Sequence, residues 1–438
     1  MECHRIDGVA PFSLEQYDEV KENAGMIRKV VSEGIMPPWF ASPAPPGQHS
    51  LWANDRTLSA SDKADLLAWI QNGKPEGKPS DAPLTLNHQS EWNIGQPDAV
   101  FALPRTIQVQ ATGVMPYINL KVKTNFSEDR WIQATEVRPT SPGVVHHVLV
   151  FASGENGDRK EDAGALAAYV PGNTFVKYPL GVAKKLSAGA TLFFQMHYTP
   201  TGEETTDRTR IGFRFATKPP ERVIQTIPVA NHRIDIPPRK ANHLETAFHS
   251  VHPGTVIRAF MPHMHLRGKA IKYELLHKGK KETLLNVPHY DFNWQLRYEL
   301  KKPRPLPEGS RIQVTGIFDN SLHNPANPDP DARVRWGDQS EDEMLIGYLE
   351  CEFEPHLAER RTSDEDTALF TRLDKNMDGF LTKNEFTKPK LFNSFDSDRD
   401  GRVSLQEGKE GLARIKKRKK EQKNKQRGGL RGILDRLL

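Results

Sequence analysis

Between residues 92 and 355 the chain alternates apolar and polar positions in short runs separated by turn-forming residues. YINLKVKTNF (117–126), RWIQATEV (130–137), HHVLVFAS (146–153) and TLFFQMHYT (191–199) read as strands, because a period of two gives a pleated strand one apolar face. TVIRAFM (255–261), AIKYELL (270–276), RIQVTGIF (311–318) and EMLIGYLECEF (343–353) continue the pattern. The stretch before residue 79 is helical in character. Ser13 and Gln16 form a capping-box pattern, predicting a helix that runs to about Glu33. A second helix is predicted to start near Ser59, to pack Leu66, Leu67, Trp69 and Ile70, and to end at Gly73. Residues 79–91 read as a polar linker and 319–332 as a long turn-rich loop.

A length of 438 residues allows about three domains. The apolar fraction of 37% and the 33 prolines suit β-sandwiches joined by turns more than helical bundles. No apolar run reaches the roughly 18 residues of a membrane helix. Cys3 and Cys351 are the only cysteines, too few for a disulfide framework, so the sandwiches must hold by packing. Cys351 is expected to be a small buried apolar residue. The net charge of +5 is uneven. Arg414–Arg436 holds eleven Lys or Arg against two acidic residues, so the rest of the chain is net negative. Such a tail suits a polyanion, an anionic lipid surface or simple solvation, and carries no specific nucleic-acid signal. No dinucleotide fingerprint, P-loop or nucleophile elbow is present.

Metal-binding side chains form two sets of three. The first is His146, His147 and His197; the second is His263, His265 and Met344. Imidazole suits copper and zinc, whereas a thioether favours Cu(I), so the pair of sets argues for two copper ions. His263 and His265 are two apart and would share a face of a strand. His146 and His147 are adjacent and need a bulge or strand end to reach one ion. A ring-orienting role through the second imidazole nitrogen is open among His243, His249, His252, His289 and His323.

The order His-His, Gln-x-His, His-x-His, Glu-Met-x3-Tyr resembles the copper type II, ascorbate-dependent monooxygenases. Here those residues are His146, His147, Gln195, His197, His263, His265, Glu343, Met344 and Tyr348. The resemblance covers about residues 92–355. It implies two jelly-roll sandwiches with one copper each. The His263/His265/Met344 copper would handle O2 and insert one oxygen into a substrate C–H bond. The His146/His147/His197 copper would store and deliver an electron. Gln195 is implied near the transfer route and Tyr348 near the substrate. Implied partners are O2, a small-molecule or peptide substrate, and a reductant, either ascorbate or a redox protein. Two alternatives stay open: a copper or haem electron-transfer protein without hydroxylation, and a calcium-stabilised β-sandwich binding protein.

The flanks carry two further signatures. Cys3-His4 is the end of a C-x-x-C-H haem-attachment motif without its first cysteine. With Met36 as distal ligand, it resembles a cytochrome c in which His4 and Met36 hold haem c. The expectation is a cysteine codon just before Met1, a signal peptide upstream, and a bacterial, extracytoplasmic protein. Towards the other end, Asp374, Asn376, Asp378, Phe380, Thr382 and Glu385 fit an EF-hand loop, with Gly379 at the turn. Asp396, Asp398, Asp400, Arg402, Ser404 and Glu407 fit a second, with Gly401 at its turn. Leu381 and Val403 occupy the position where paired loops bridge, and calcium is the expected ion. The fold class that follows is multidomain. It comprises an all-α cytochrome c-like domain (1–78), antiparallel β-sandwiches (92–218 and 219–355), an α-helical EF-hand pair (356–412) and a basic tail (413–438).

Overall fold

The computed structural model describes residues 3–5, 8–45, 47–78, 80, 92–153, 165–362, 370, 373–374, 379–386 and 389–415. Most of the predicted linker and the tail from residue 416 lie outside these. The chain divides into a body, residues 1–247 and 251–358, and a second unit of residues 248–250 and 359–438. No helix among the described residues is long and apolar enough to cross a membrane.

All eight strands read from alternation form. A nine-stranded sheet runs through the body in the order Ala99–Ala102, Arg210–Phe215, Arg130–Arg138, Val182–Leu186, Arg222–Ala230, Ile346–Phe353, Val256–His263, Tyr298–Pro305. The ninth strand, Phe175–Lys177, pairs with Arg130–Arg138. A four-stranded sheet ordered Ile118–Lys123, Thr191–Tyr198, Val145–Ala152, Ala167–Tyr169 shares a core with the first half. Ile132, Val137, Ile211 and Phe213 meet Val148, Val150, Leu192, Phe194 and Met196 in that core. Another four-stranded sheet, built around Gly268–His277 and Arg311–Phe318, does the same in the second half. There Ile227, Val229, Phe260 and Leu349 meet Ile271, Tyr273, Ile312 and Val314. Gly347 makes this approach possible, since a Cβ there would stand 2.6 Å from Val314 and 2.8 Å from Tyr273.

The expected sandwiches are thus fused rather than merely adjacent. Arg222–Ile224 pairs in parallel with Val182–Lys184, making one sheet of the two halves. Lys184 at this seam lies 3.0 Å from Glu350, which also accepts from Tyr178 (2.8 Å) and pairs with Arg297 (2.7 Å). Burial pushes the Glu350 carboxyl up, but Arg297 and Lys184 hold it well below the usual carboxylate range. Tyr298–Pro305 is an edge strand, where proline's missing N–H costs no ladder bond.

The predicted long N-terminal helix forms as two, Tyr17–Glu22 and Ala24–Ser32. The capping box is that of Gln16 with Glu19, three residues later than expected. Asn23 separates the two helices; its Nδ2 donates to the Glu19 carbonyl at 2.8 Å, a side-chain bond that competes with a continuous helix. The third helix, Ala60–Gln71, is capped by Ser59, but it buries Ile70 alone. Between the helices the chain lies against the second sandwich. Trp39 and Trp52 enter its core and set their rings against Tyr298 at 4.9 and 5.7 Å. Ser42 N–H donates to the Asn286 carbonyl and Ala53 N–H to that of Glu299.

Candidate metal centres

The first set sits on paired strands. His147 and His197 are directly opposite, and the register shifts between Val145 and His147. That bulge lets two adjacent rings converge: His146 and His147 bring their Nδ1 atoms to 3.0 Å. Each of the three rings offers a nitrogen within 4.8 Å of the others. His197 lies opposite the core-facing Phe194, Met196 and Tyr198, yet is only 8% exposed. His197 Nδ1 and His147 Nε2 are buried without a hydrogen-bond partner. An orphaned lone pair beside two converging imidazoles suits a metal better than a packed core. Burial pushes His146 down, and His147 well down; His197 falls to about 3. All three therefore stay in the neutral, ligating form. The Tyr117 ring stacks on His197 at 4.6 Å and 15°, a residue that no sequence signal singles out. Burial raises its hydroxyl to about 12.

His263 ends its strand and His265 lies in the turn beyond it. The shared-face argument therefore does not apply, and the turn itself brings the rings to 5.2 Å. Met264 between them points into the core and is fully buried; Tyr290 Oη accepts from its N–H at 3.0 Å and donates to its carbonyl at 2.8 Å. His263 Nδ1 is 2.6 Å from Gln295 Oε1, and the Gln295 Nε2 donates to the Phe292 carbonyl at 3.1 Å. An amide oxygen only accepts, so Nδ1 carries the proton and Nε2 is bare. His265 Nδ1 meets the Asp342 carbonyl at 3.3 Å, leaving its Nε2 bare too. Burial lowers His263 and takes His265 to about 3. Met344 is tied in by Glu343, which is wholly buried. The Glu343 carboxylate accepts N–H bonds from His265 (2.9 Å), Arg267 (2.6 Å) and Met344 (3.1 Å). Burial outweighs these three bonds and raises it to about 7. The Arg267 guanidinium fixes the same turn from behind, donating to Asn320 Oδ1 and to the Glu341 carbonyl, both at 2.8 Å.

The two sets face each other, with His147 and His263 ring centroids 6.5 Å apart. Phe292 lies between them, 4.8 Å from His146, 6.1 Å from His197 and 6.0 Å from His265. Tyr348 is 6.5 Å from His263 and borders a small cavity with Met261, Lys184 and Arg297. Gln195 lies two residues from His197 on the same strand, opposite Asn119 and Leu149. Asn293 Oδ1 meets His146 Nε2, Gln295 Oε1 meets His263 Nδ1 and the Asp342 carbonyl meets His265 Nδ1.

In the second unit, Leu381 pairs with Val403, as the loop spacing predicts. Glu385 accepts from Thr382, and Glu407 from Ser404 and Ser397, each at 2.8 Å. Gly379 and Gly401 adopt φ of 82° and 81° and donate to Asp374 and Asp396. Asp396, Asp398 and Asp400 each offer an oxygen within 4.8 Å of the others. Phe380 opens one bridging strand and Arg402 immediately precedes the other; Asn376 and Asp378 lie outside the described residues. At the other end of the chain, His4 Nδ1 is 3.1 Å from the Phe12 carbonyl and its ring is against Phe12. Cys3 and Met36 are half-buried. Met1 and Glu2 are outside the described residues.

Residues 222–354 match the family model described as copper type II ascorbate-dependent monooxygenase, C-terminal domain. Residues 366–388 and 390–407 match an EF-hand model. The second sandwich is therefore similar to a domain of a copper-dependent oxidoreductase, which implies copper, O2, a reductant and a substrate; the EF-hand match implies calcium. Among curated proteins nothing matches. Among solved structures, the bacteriophage PM2 capsid protein P2 is similar at 8% identity over 58% of this chain and 98% of its own, TM-score 0.25. An allantoicase from Saccharomyces cerevisiae is similar at 13% identity over 49% and 79%, TM-score 0.17. Likenesses this distant say nothing about activity.

Proposed function

We propose that the body is a copper-dependent monooxygenase that hydroxylates a substrate C–H bond: R–H + O2 + 2e⁻ + 2H⁺ → R–OH + H2O. The observation that carries this reading is the pairing of two ligand sets of different chemistry, three imidazoles facing two imidazoles and a thioether-bearing turn. His146, His147 and His197 would hold one copper, and His263, His265 and Met344 the other. Copper bound there would supply one-electron chemistry, with a thioether favouring the reduced ion at the second set. The chain's own residues have definite tasks. The bulge at His146 converges the first rings, and Gln295 and the Asp342 carbonyl hold the protons of His263 and His265 away from the metal side. Glu343 and Arg267 fasten the Met344 turn to the His265 turn. Phe292 excludes water from the space between the sets. Tyr348, with Met261 beside it, would border a substrate near His263, and Gln195 would lie near the transfer route from the first copper. The EF-hand pair would bind calcium as a structural module.

The haem reading of Cys3, His4 and Met36, and with it a bacterial, exported protein fed by a haem, rests on sequence spacing. The codon before Met1 tests it: cysteine supports it, any other residue removes it. For the hydroxylase, copper-loaded full chain with ascorbate is followed for O2 uptake against a panel of small molecules and peptides. Product equal to O2 consumed supports the reading. Two bound coppers with ascorbate oxidation but no hydroxylated product across the panel would favour electron transfer. A failure to bind copper at all would overturn it.

A further inference from the structure

We propose that Asp291 and Asn293, both carried by the second sandwich, are positioning residues for the metal site of the first sandwich. The site on one sandwich is then complete only when the other is docked against it. This rests on reading His146, His147 and His197 as a metal site, but not on hydroxylation.

The argument is one of hydrogen-bond polarity. The Asp291 Oδ1 accepts from Asn293 N–H at 2.9 Å and from Asn293 Nδ2 at 3.0 Å. An ionised carboxylate only accepts, so the amide must turn its NH2 toward Asp291. Its Oδ1 then faces His146 Nε2, 3.2 Å away. An amide oxygen also only accepts, so His146 carries its proton on Nε2. A neutral imidazole has one N–H, which leaves Nδ1 bare. That nitrogen is the one 3.0 Å from His147 Nδ1. Phe292, between the two positioning residues, lies nearly parallel to the His146 ring at 26°. One short segment of the second sandwich thus holds the edge and the face of a ring that belongs to the first. The same segment continues to Gln295, which imposes the opposite tautomer on His263.

The test uses the metal-free and Cu(II)-titrated full chain. In metal-free wild-type protein with ¹⁵N-labelled histidine, long-range ¹H–¹⁵N correlation should show His146 protonated on Nε2. Asn293→Ala should weaken Cu(II) binding at the first set by about 10-fold or more, the usual effect of losing a partner of a ligand ring. The second set's Cu(II) EPR signal should persist. The exchange Asp291→Asn with Asn293→Asp keeps the polarity, because the new amide donates to the new carboxylate. It should restore binding to within about threefold of wild type, which a merely structural role would not do. An Nδ1-protonated His146 in the wild type, or unchanged affinity in Asn293→Ala, would overturn the proposal. If the wild type binds no copper at the first set, the metal reading fails and this inference with it; an Nδ1-protonated His146 in a chain that does bind copper there overturns this inference alone.

Discussion

Glu343 is the residue on which the second ligand turn hangs, and replacing it with glutamine tests that. Its carboxylate serves three backbone N–H groups, one through Oε1 and two through Oε2. A glutamine amide keeps one oxygen. If that oxygen stays with His265 and Met344, the NH2 meets the Arg267 N–H donor to donor. A buried donor left unsatisfied costs about 1–3 kcal/mol. Charge adds a pH dependence. Burial raises Glu343 from 4.5 to about 7. Between those values the folded state holds a proton that the unfolded state has released. Stability from this group is therefore full below about pH 4.5 and falls as pH rises to about 7. At roughly 1.4 kcal/mol per pH unit the loss is about 3 kcal/mol. Urea unfolding of metal-free protein from pH 4.5 to 8 should show wild type losing that much relative to Glu343→Gln. The variant should be the less stable at pH 5, and the gap should close or reverse by pH 8. If instead wild-type stability rises with pH relative to the variant, the three N–H bonds dominate over burial and the reasoning is wrong.

Three further outcomes follow from the geometry. Lys184→Met should cost about 3–5 kcal/mol in a chemical denaturation series, because Glu350 keeps its burial and loses a partner at the seam; an unchanged midpoint would mean that Arg297 alone suffices. With His197 and His265 near 3 and burial pulling His146, His147 and His263 down as well, copper affinity should rise less steeply from pH 5 to 8 by competition titration than it does for exposed imidazoles; a tenfold rise per pH unit would contradict it. Glu407→Gln should remove a bidentate calcium ligand, and the calcium-induced rise in the second unit's melting temperature should shrink or vanish; a rise equal to wild type's would refute the loop assignment.

The histidines that the structure brings together could be read from the sequence because their pattern is local: a His-His pair on an alternating run, a Gln-x-His, a His-x-His. The eight strands were legible because their apolar positions recur in short runs between turn residues, even where, as in Ile346–Phe353, both faces are buried. The fusion of the sandwiches was not, since a three-residue parallel pairing at Arg222–Ile224 has no sequence period of its own. Nor was the start of the first helix, where Gln16 and Asn23 set the ends through side-chain bonds. The segment Asp291–Gln295 carries no apolar period and no motif, because its role is to present single amides and one ring to histidines from both halves. Tyr117 is equally silent, an aromatic in a strand-like run that becomes notable only when His197 lies under it. His265 was expected on a strand and lies in a turn, where Glu343 rather than pleating sets its direction.

The central claim is that two copper ions occupy two chemically distinct sets in one body, and X-ray absorption on fully loaded, reduced full chain tests it most directly. The account predicts two coppers per chain, with a sulfur scatterer beside one of them that disappears in Met344→Ala, and loss of one copper in the His263→Ala/His265→Ala double variant. Two coppers retained in that double variant, or no sulfur signal in the wild type, would contradict it.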